Sequence, residues 1–179
     1  MNLSIFQNYY NNDFLAKNIL GKKLSKWDLE WIINEIEIYK WADDPASHAF
    51  KWETNRNWPM FETWWHIYVY MIYGMYFCLN ISIGEKWKAW AILIRWINPT
   101  WWIEKMKKYR KTENEKNLTN WPGKLCQAFW IDKSYNWLLL SNSDLEISEW
   151  INNFQVEKTS RVGIKTWTNK KWRYLIKNL

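Results

Sequence analysis

Tryptophan stands at the turns of this chain. There are 18 tryptophans and only 5 glycines among 179 residues, whereas about 7% glycine, roughly a dozen residues here, is ordinary. Trp41 precedes Ala42-Asp43-Asp44-Pro45. Trp58 lies in Asn57-Trp58-Pro59, Trp121 in Asn120-Trp121-Pro122, and Trp137 follows Asn136. Trp64-Trp65 and Trp101-Trp102 are doublets beside turn-forming residues. Such Asn, Asp and Pro contexts punctuate turns, where glycine serves because it tolerates positive φ and an indole does not. The pattern reads as glycine written as tryptophan, the outcome when a UGA codon assigned to glycine in one genetic code is translated as tryptophan. The alternative is a chain that is genuinely rich in tryptophan.

The length suits one domain, residues 1–179, with a core of its own. No Pro/Gly/Ser-rich linker divides the chain and no repeat recurs. A formal net charge of +7 is compatible with a polyanionic partner. Cys78 and Cys126 are too few for a disulfide framework and fit a reducing, cytoplasmic setting. The first residues, Met1-Asn2-Leu3-Ser4-Ile5-Phe6, lack a basic start and a long apolar run, so no signal peptide is expected. No apolar run reaches the roughly 18 residues of a membrane span.

Residues 13–20 read as a short amphipathic helix with Leu15, Ala16 and Ile19 on one face, stopped by Gly21. Residues 31–39 read as a strand. Strict alternation puts Ile32, Asn34, Ile36 and Ile38 on one side, and Ile33, Glu35, Glu37 and Tyr39 on the other. Asp44-Pro45 has the form of an N-cap and first helical residue, so a short helix is expected there. Residues 67–73 and 75–83 are strands flanking Gly74, with Tyr73-Gly74-Met75 as the hairpin tip. Residues 91–97 are another strand, 102–110 a lysine-rich helix, 111–121 a polar loop and 122–130 a helix. The segment 141–158 gives no clear signal, and short strands are expected near 161–165 and 172–176. Antiparallel hairpins with segregated helices mean an α+β fold.

Glu37 lies on an isoleucine-rich strand with Tyr39 two residues on. On periodicity alone a structural glutamate is the favoured reading. The functional one is a general base tuned by apolar surroundings, and Glu35 competes for it on spacing. His48 is one of two histidines; with no cysteine cluster nearby, no zinc or other metal site is expected. In the aromatic stretch from Tyr68 to Phe77, pleating sends Tyr70 and Tyr73 to different faces. A ring exposed at the tip suits stacking or wedging into nucleic acid. The cluster Lys105, Lys107, Lys108, Arg110 and Lys111 reads as a solvated helix face. Pro122-Gly123-Lys124 opens a helix with a lysine beside free N–H groups, which suits a phosphate, although Walker spacing is absent.

Taken together, Glu35 to Ala49, Tyr68 to Asn80, Ile92-Leu93-Ile94-Arg95 and Leu118 to Ala128 resemble the alkyladenine (3-methyladenine type) DNA glycosylase family. Weaker matches are Ala16 to Lys22, Arg161-Val162-Gly163-Ile164 and Trp172-Arg173-Tyr174. The family has glycine where this chain has Trp31, Trp41, Trp58, Trp64, Trp65, Trp102, Trp121 and Trp130, while Trp172 falls where it can carry a true tryptophan. The resemblance implies a curved antiparallel sheet with a protruding β-hairpin, surrounded by helices. It implies a monofunctional, cofactor-free enzyme of base excision repair that acts as a monomer on damaged purines in double-stranded DNA, in a bacterial-type cytoplasm in association with the nucleoid.

It also implies a role for each matching residue. Glu37 activates the water that attacks C1′, with Arg95 and the Val162 backbone carbonyl holding that water. Tyr39, His48 and Tyr70 sandwich the flipped base, backbone groups of Ala46 and His48 read its edge, and Asn80 obstructs normal guanine. Tyr73 fills the gap in the duplex. Thr54, Arg56, Met75, Gly123 and Lys124 contact the DNA backbone. Two other readings compete: a non-catalytic binder of damaged DNA, and an interfacial membrane protein whose tryptophans are anchors.

Overall fold

The computed structural model describes residues 11–63, 65–99, 101–151 and 153–177; Trp64 lies outside them. Helix α1 (Asn12–Ile19) begins where the Asn11 side chain accepts the N–H groups of Asp13 and Phe14 at 2.9 and 3.2 Å, an N-cap. It buries Leu15, Ala16 and Ile19. The helix ends at Gly21, where φ is +74° and a Cβ would come within 2.6 Å of the Ile151 carbonyl oxygen. Only glycine fits both demands.

The sheet follows. Strands β1 (Lys23–Lys26), β2 (Leu29–Tyr39), β3 (Ile67–Ile72), β4 (Tyr76–Ile83), β5 (Trp90–Pro99) and β6 (Leu145–Ser148) lie in the order β3-β4-β5-β2-β1-β6. Strand β7 (Gln155–Thr159) pairs with β8 (Arg173–Lys177), and β8 pairs with β2. These strand pairs are all antiparallel. One edge of β2 is shared: residues 29–32 pair with β1, and residues 35–37 with β8. Helices α2 (Ile103–Arg110) and α3 (Pro122–Ala128) complete the fold, an α+β domain with a curled antiparallel half-barrel. The core joins Leu15, Ile36, Ile38, Leu79, Ile94, Leu125 and Phe129 among others. Each such side chain contributes about 1.5–3 kcal/mol by leaving water.

The strict alternation expected along 31–39 fails at one residue. The register between β2 and β5 shifts on either side of Glu35 and leaves Asn34 on β2 and Arg95 on β5 without partner residues. This is a β-bulge. It lets Ile33 join Ile36 and Ile38 in the core rather than share the face of Glu35 and Glu37. The short helix expected from Asp44-Pro45 does not form; residues 44–50 are a chain of turns. Asp44 does accept the Ala46 N–H at 3.2 Å, but its carboxylate is committed to Arg161, so the turn does not propagate. The strand expected at 161–165 is absent. The strand that pairs β8 is 155–159, and 160–172 is a loop.

The tryptophan pattern is visible in the backbone. Trp27, Trp65, Trp87, Trp102, Trp130, Trp137 and Trp167 have φ between +52° and +87°. Among the described residues, the other non-glycine ones with positive φ are Ala42, Tyr73 and Lys111. Among the described residues no helix is long and apolar enough to cross a membrane. Cys78 and Cys126 are free and buried.

Candidate active site

A cleft of about 280 Å³ opens on one face of β2, β3, β4 and β5, bounded by the 44–50 turns and the 160–172 loop. It falls near the lower end of the roughly 300–1,000 Å³ typical of small-molecule sites. Tyr39, Ala46, His48, Tyr70, Tyr73, Asn80, Arg95 and Val162 all line it. Residues far apart in sequence and expected to act together are thus brought together.

Glu37 lies directly behind this lining and is fully buried. A buried carboxylate needs partners, and three cleft residues supply them. The Tyr39 hydroxyl donates to Oε2 at 2.6 Å. The Val162 N–H donates to Oε1 at 2.7 Å, and Arg95 Nη1 lies 3.3 Å from the same oxygen. Burial, reinforced by the Glu37 charge, raises the Tyr39 pKa, so the phenol stays protonated and donates. Burial opposes the Arg95 charge, but Glu37 and Glu35 outweigh it and raise that pKa. Glu35, one repeat along the same face, has a different role. Its Oε1 accepts Arg95 Nε at 2.8 Å and Arg173 Nε at 2.6 Å, so two guanidinium groups hold it.

The opposite wall is aromatic. The His48 and Tyr70 rings meet edge to face with centroids 4.6 Å apart. His48 Nδ1 lies 2.9 Å from the Tyr68 hydroxyl. Burial, with Arg56 nearby, pushes the His48 pKa down to about 4, so the ring is neutral near pH 7. The Asn80 amide donates to the Tyr68 and Cys78 carbonyls at 3.0 and 3.3 Å, which fixes it against the floor. The Asn57 side chain donates to the His48 carbonyl at 2.7 Å.

At the tip of the β3–β4 hairpin Tyr73 is 81% exposed, with φ +51°. Its ring stacks on Trp121 at 6.3 Å. The remaining expected DNA contacts lie outside the cleft lining. Arg56 and Thr54 are exposed, with the Arg56 guanidinium 5.3 Å from the Tyr70 ring centroid. Met75 is exposed beside Tyr73. Gly123 is buried under Trp121 and Tyr76, and the Lys124 ammonium is held by Asn117 and Asn120. Among the described residues no group of three or more His, Cys, Asp or Glu is arranged to hold a metal ion.

Sequence reasoning missed Tyr68, Asn57, Arg173, and the buried Asp44–Arg161 pair. Arg173 could have been flagged: it stands in a late, weakly matching segment of a chain whose Glu35 and Glu37 needed cationic partners.

The methylpurine-DNA glycosylase family model matches residues 6–179. The chain belongs to this family. It is 38% identical over 194 residues to a Clostridium perfringens protein named "Putative 3-methyladenine DNA glycosylase", covering 96% of this chain and 95% of that one. A Sodalis glossinidius protein of the same name is 37% identical, covering 97% of this chain and 96% of that one. One from Clostridium botulinum is 35% identical, with 95% and 94% covered. Membership makes the chain a DNA glycosylase of DNA repair, a hydrolase of N-glycosyl bonds acting on damaged DNA.

Proposed function

We propose that this glycosylase turns an alkylated or deaminated purine out of duplex DNA into the aromatic cleft and cleaves its glycosidic bond with a water activated by Glu37. The observation that carries this reading is the Glu37 carboxylate. It is held by Tyr39, Val162 and Arg95, three residues that themselves line the cleft. A general base must be fixed within reach of the reacting centre, and these contacts fix it.

A glycosidic bond inside a duplex is shielded, so the base must leave the stack at a cost of a few kcal/mol. Tyr73, exposed at the hairpin tip, offsets part of that cost by occupying the vacated space. Tyr39, Tyr70 and neutral His48 then enclose the base. Alkylated purines are electron-poor and often cationic, and aromatic faces attract such a ring by about 0.5–2 kcal/mol. A neutral His48 avoids repelling it. The Ala46 N–H is taken by Asp44 and the His48 carbonyl by Asn57. In this reading, the base edge is therefore met by the Ala46 carbonyl and the His48 N–H. Asn80, held in the floor, excludes the exocyclic amine of guanine.

Activated purines are good leaving groups, so a carboxylate and a water suffice. Among the described residues no lysine lines the cleft, which supports simple hydrolysis that leaves an abasic site and an unbroken strand. The test is Glu37→Gln assayed on oligonucleotides carrying hypoxanthine or an alkylated purine. The variant is expected to bind lesion DNA as the parent does and to release base at least ~10²-fold more slowly, within the range of general-base effects. Parental release rates in Glu37→Gln would remove Glu37 as the base.

A further inference from the structure

The ion pair between Asp44 and Arg161 lies outside the reacting groups, yet it joins the two segments that carry them. Both side chains are fully buried. Arg161 donates through Nη1 and Nη2 to the two Asp44 oxygens at 2.6 and 2.7 Å, a bidentate fork. Nη1 also donates to the Ile38 carbonyl at 3.1 Å. Asp44 in turn accepts the N–H groups of Lys40 and Ala46, each at 3.2 Å. The guanidinium stands 4.6 Å from the Tyr39 ring centroid and 5.1 Å from that of Trp172. Desolvation largely cancels the Coulomb gain of such a pair, so stability alone does not account for it. What the fork adds is geometry. Asp44 opens the turn that carries Ala46 and His48 to the cleft. Arg161 immediately precedes Val162, whose N–H reaches Glu37 at 2.7 Å.

We propose that Asp44 and Arg161 are positioning residues that lock the base-reading turn and the Glu37-binding loop to one another, so that base recognition and water activation are aligned by a single fork. This rests on the function proposed above. Arg161→Lys keeps the charge and loses the fork; Asp44→Asn keeps the shape and loses the charge. With lesion DNA saturated by protein, both are expected to release base at least ~10-fold more slowly per folded molecule. An independent readout is the Val162 amide proton, whose resonance in the parent is expected downfield and to move upfield in Glu37→Gln. It is expected to move upfield in both folded clamp variants as well, and an unmoved resonance in either would overturn the proposal. If the parent protein releases no base, the proposed function fails while the amide resonance still judges the clamp. If neither variant folds, hydrogen exchange in the parent decides. The Val162 and Ala46 amides are expected to open with one shared free energy, and unrelated opening energies would overturn the clamp.

A different observation carries a second inference. Left-handed φ is rare for non-glycine residues, a few per cent, and an outlier for bulky ones, yet seven tryptophans adopt it. Elsewhere an indole lacks room: the Trp31 and Phe129 ring centroids are 3.0 Å apart, well inside the 4.5–7 Å of packed aromatic pairs. We infer that these tryptophans are glycines in the cell that makes this protein, specified by UGA codons read there as glycine. Trp172 is inferred to be a tryptophan in that cell: its φ is not positive and its ring lies against both the Arg161 guanidinium and the Lys40 ammonium. Peptide mass spectrometry of the protein from its own cells is expected to show glycine at Trp27, Trp65, Trp87, Trp102, Trp130, Trp137 and Trp167, and tryptophan at Trp172. Tryptophan masses at the seven positions, or UGG codons there, would overturn the inference.

Discussion

Replacing the seven left-handed tryptophans by glycine in one variant is expected to leave the protein more stable than replacing them by alanine. Both variants lose the same indoles. The burial of side chains that are 45–63% exposed at Trp27, Trp87, Trp102, Trp130 and Trp137, ring contacts such as Trp58–Trp137 and Tyr109–Trp130 and cation–π contacts such as Lys26–Trp27 and Lys170–Trp167 therefore cancel between them. The backbone does not cancel. A non-glycine residue held in this region costs about 1–3 kcal/mol, so glycine gains about 2 kcal/mol per site near the middle of that range. Against this, glycine loosens the unfolded chain by about 0.4–1 kcal/mol per position. The difference is about 1.3 kcal/mol per site and on the order of 9 kcal/mol over the seven sites, comparable to the whole ~5–15 kcal/mol stability of an ordinary domain. At about 2–4 °C per kcal/mol for this size, Tm of the glycine variant is expected to lie roughly 20–35 °C above that of the alanine variant. Urea and thermal unfolding of the two variants side by side measure this. Trp172 is the control, because its φ is not positive: there alanine is expected to be the more stable replacement. A seven-glycine variant no more stable than the seven-alanine one, or a Trp172→Gly variant more stable than Trp172→Ala, would refute the reasoning.

Tyr73→Ala is expected to weaken lesion-DNA binding and slow base release by about tenfold without lowering Tm, since the ring is exposed; unchanged binding and rate would remove its role as a wedge. The depressed His48 pKa sets a pH signature. The folded state holds this ring neutral down to about 4, against an ordinary 6.5, so below pH 6.5 the unfolded chain binds the extra proton. His48 therefore favours folding above pH 6.5, and this contribution is lost as pH falls from 6.5 towards 4. Urea unfolding at pH 7, 5.5 and 4.5 is expected to show a shallower acid loss in His48→Gln than in the parent, and parallel profiles would contradict the assignment.

The sequence was most readable where backbone and side chain agree. The β3–β4 hairpin, the Tyr73 tip and helices α1 and α3 follow from local propensity and punctuation, and Glu37 and Tyr39 were placed correctly on one face. Reading failed where a long-range contact overrides a local signal. Asp44-Pro45 has a helix-opening form, but a buried carboxylate answers to its cation, and Arg161 lies 117 residues away. Strand β7 is exposed along most of its length, so hydrophobic alternation does not mark it, and the more apolar run at 161–165 drew the expectation instead. The Asn34 bulge leaves no trace in composition, because a single unpaired residue changes the face of its neighbours without changing their identity.

That bulge has a consequence for the chemistry. With strict alternation Ile33 would share the face of Glu35 and Glu37. The extra residue sends Ile33 into the core and leaves Glu35, Glu37 and Tyr39 as a consecutive polar stripe on the cleft side. Two carboxylates so close repel each other, and the strand tolerates them because Arg95 bridges both. Arg173, on β8 beside β2, takes the remaining demand of Glu35. Glu35 is thereby tied to its two guanidinium groups, while Glu37 faces the groups that line the cleft. The same two-residue spacing that left the pair indistinguishable in sequence assigns them different work, because guanidinium groups from β5 and β8, on opposite edges of β2, converge on Glu35, whereas the Tyr39 hydroxyl and the Val162 N–H reach Glu37.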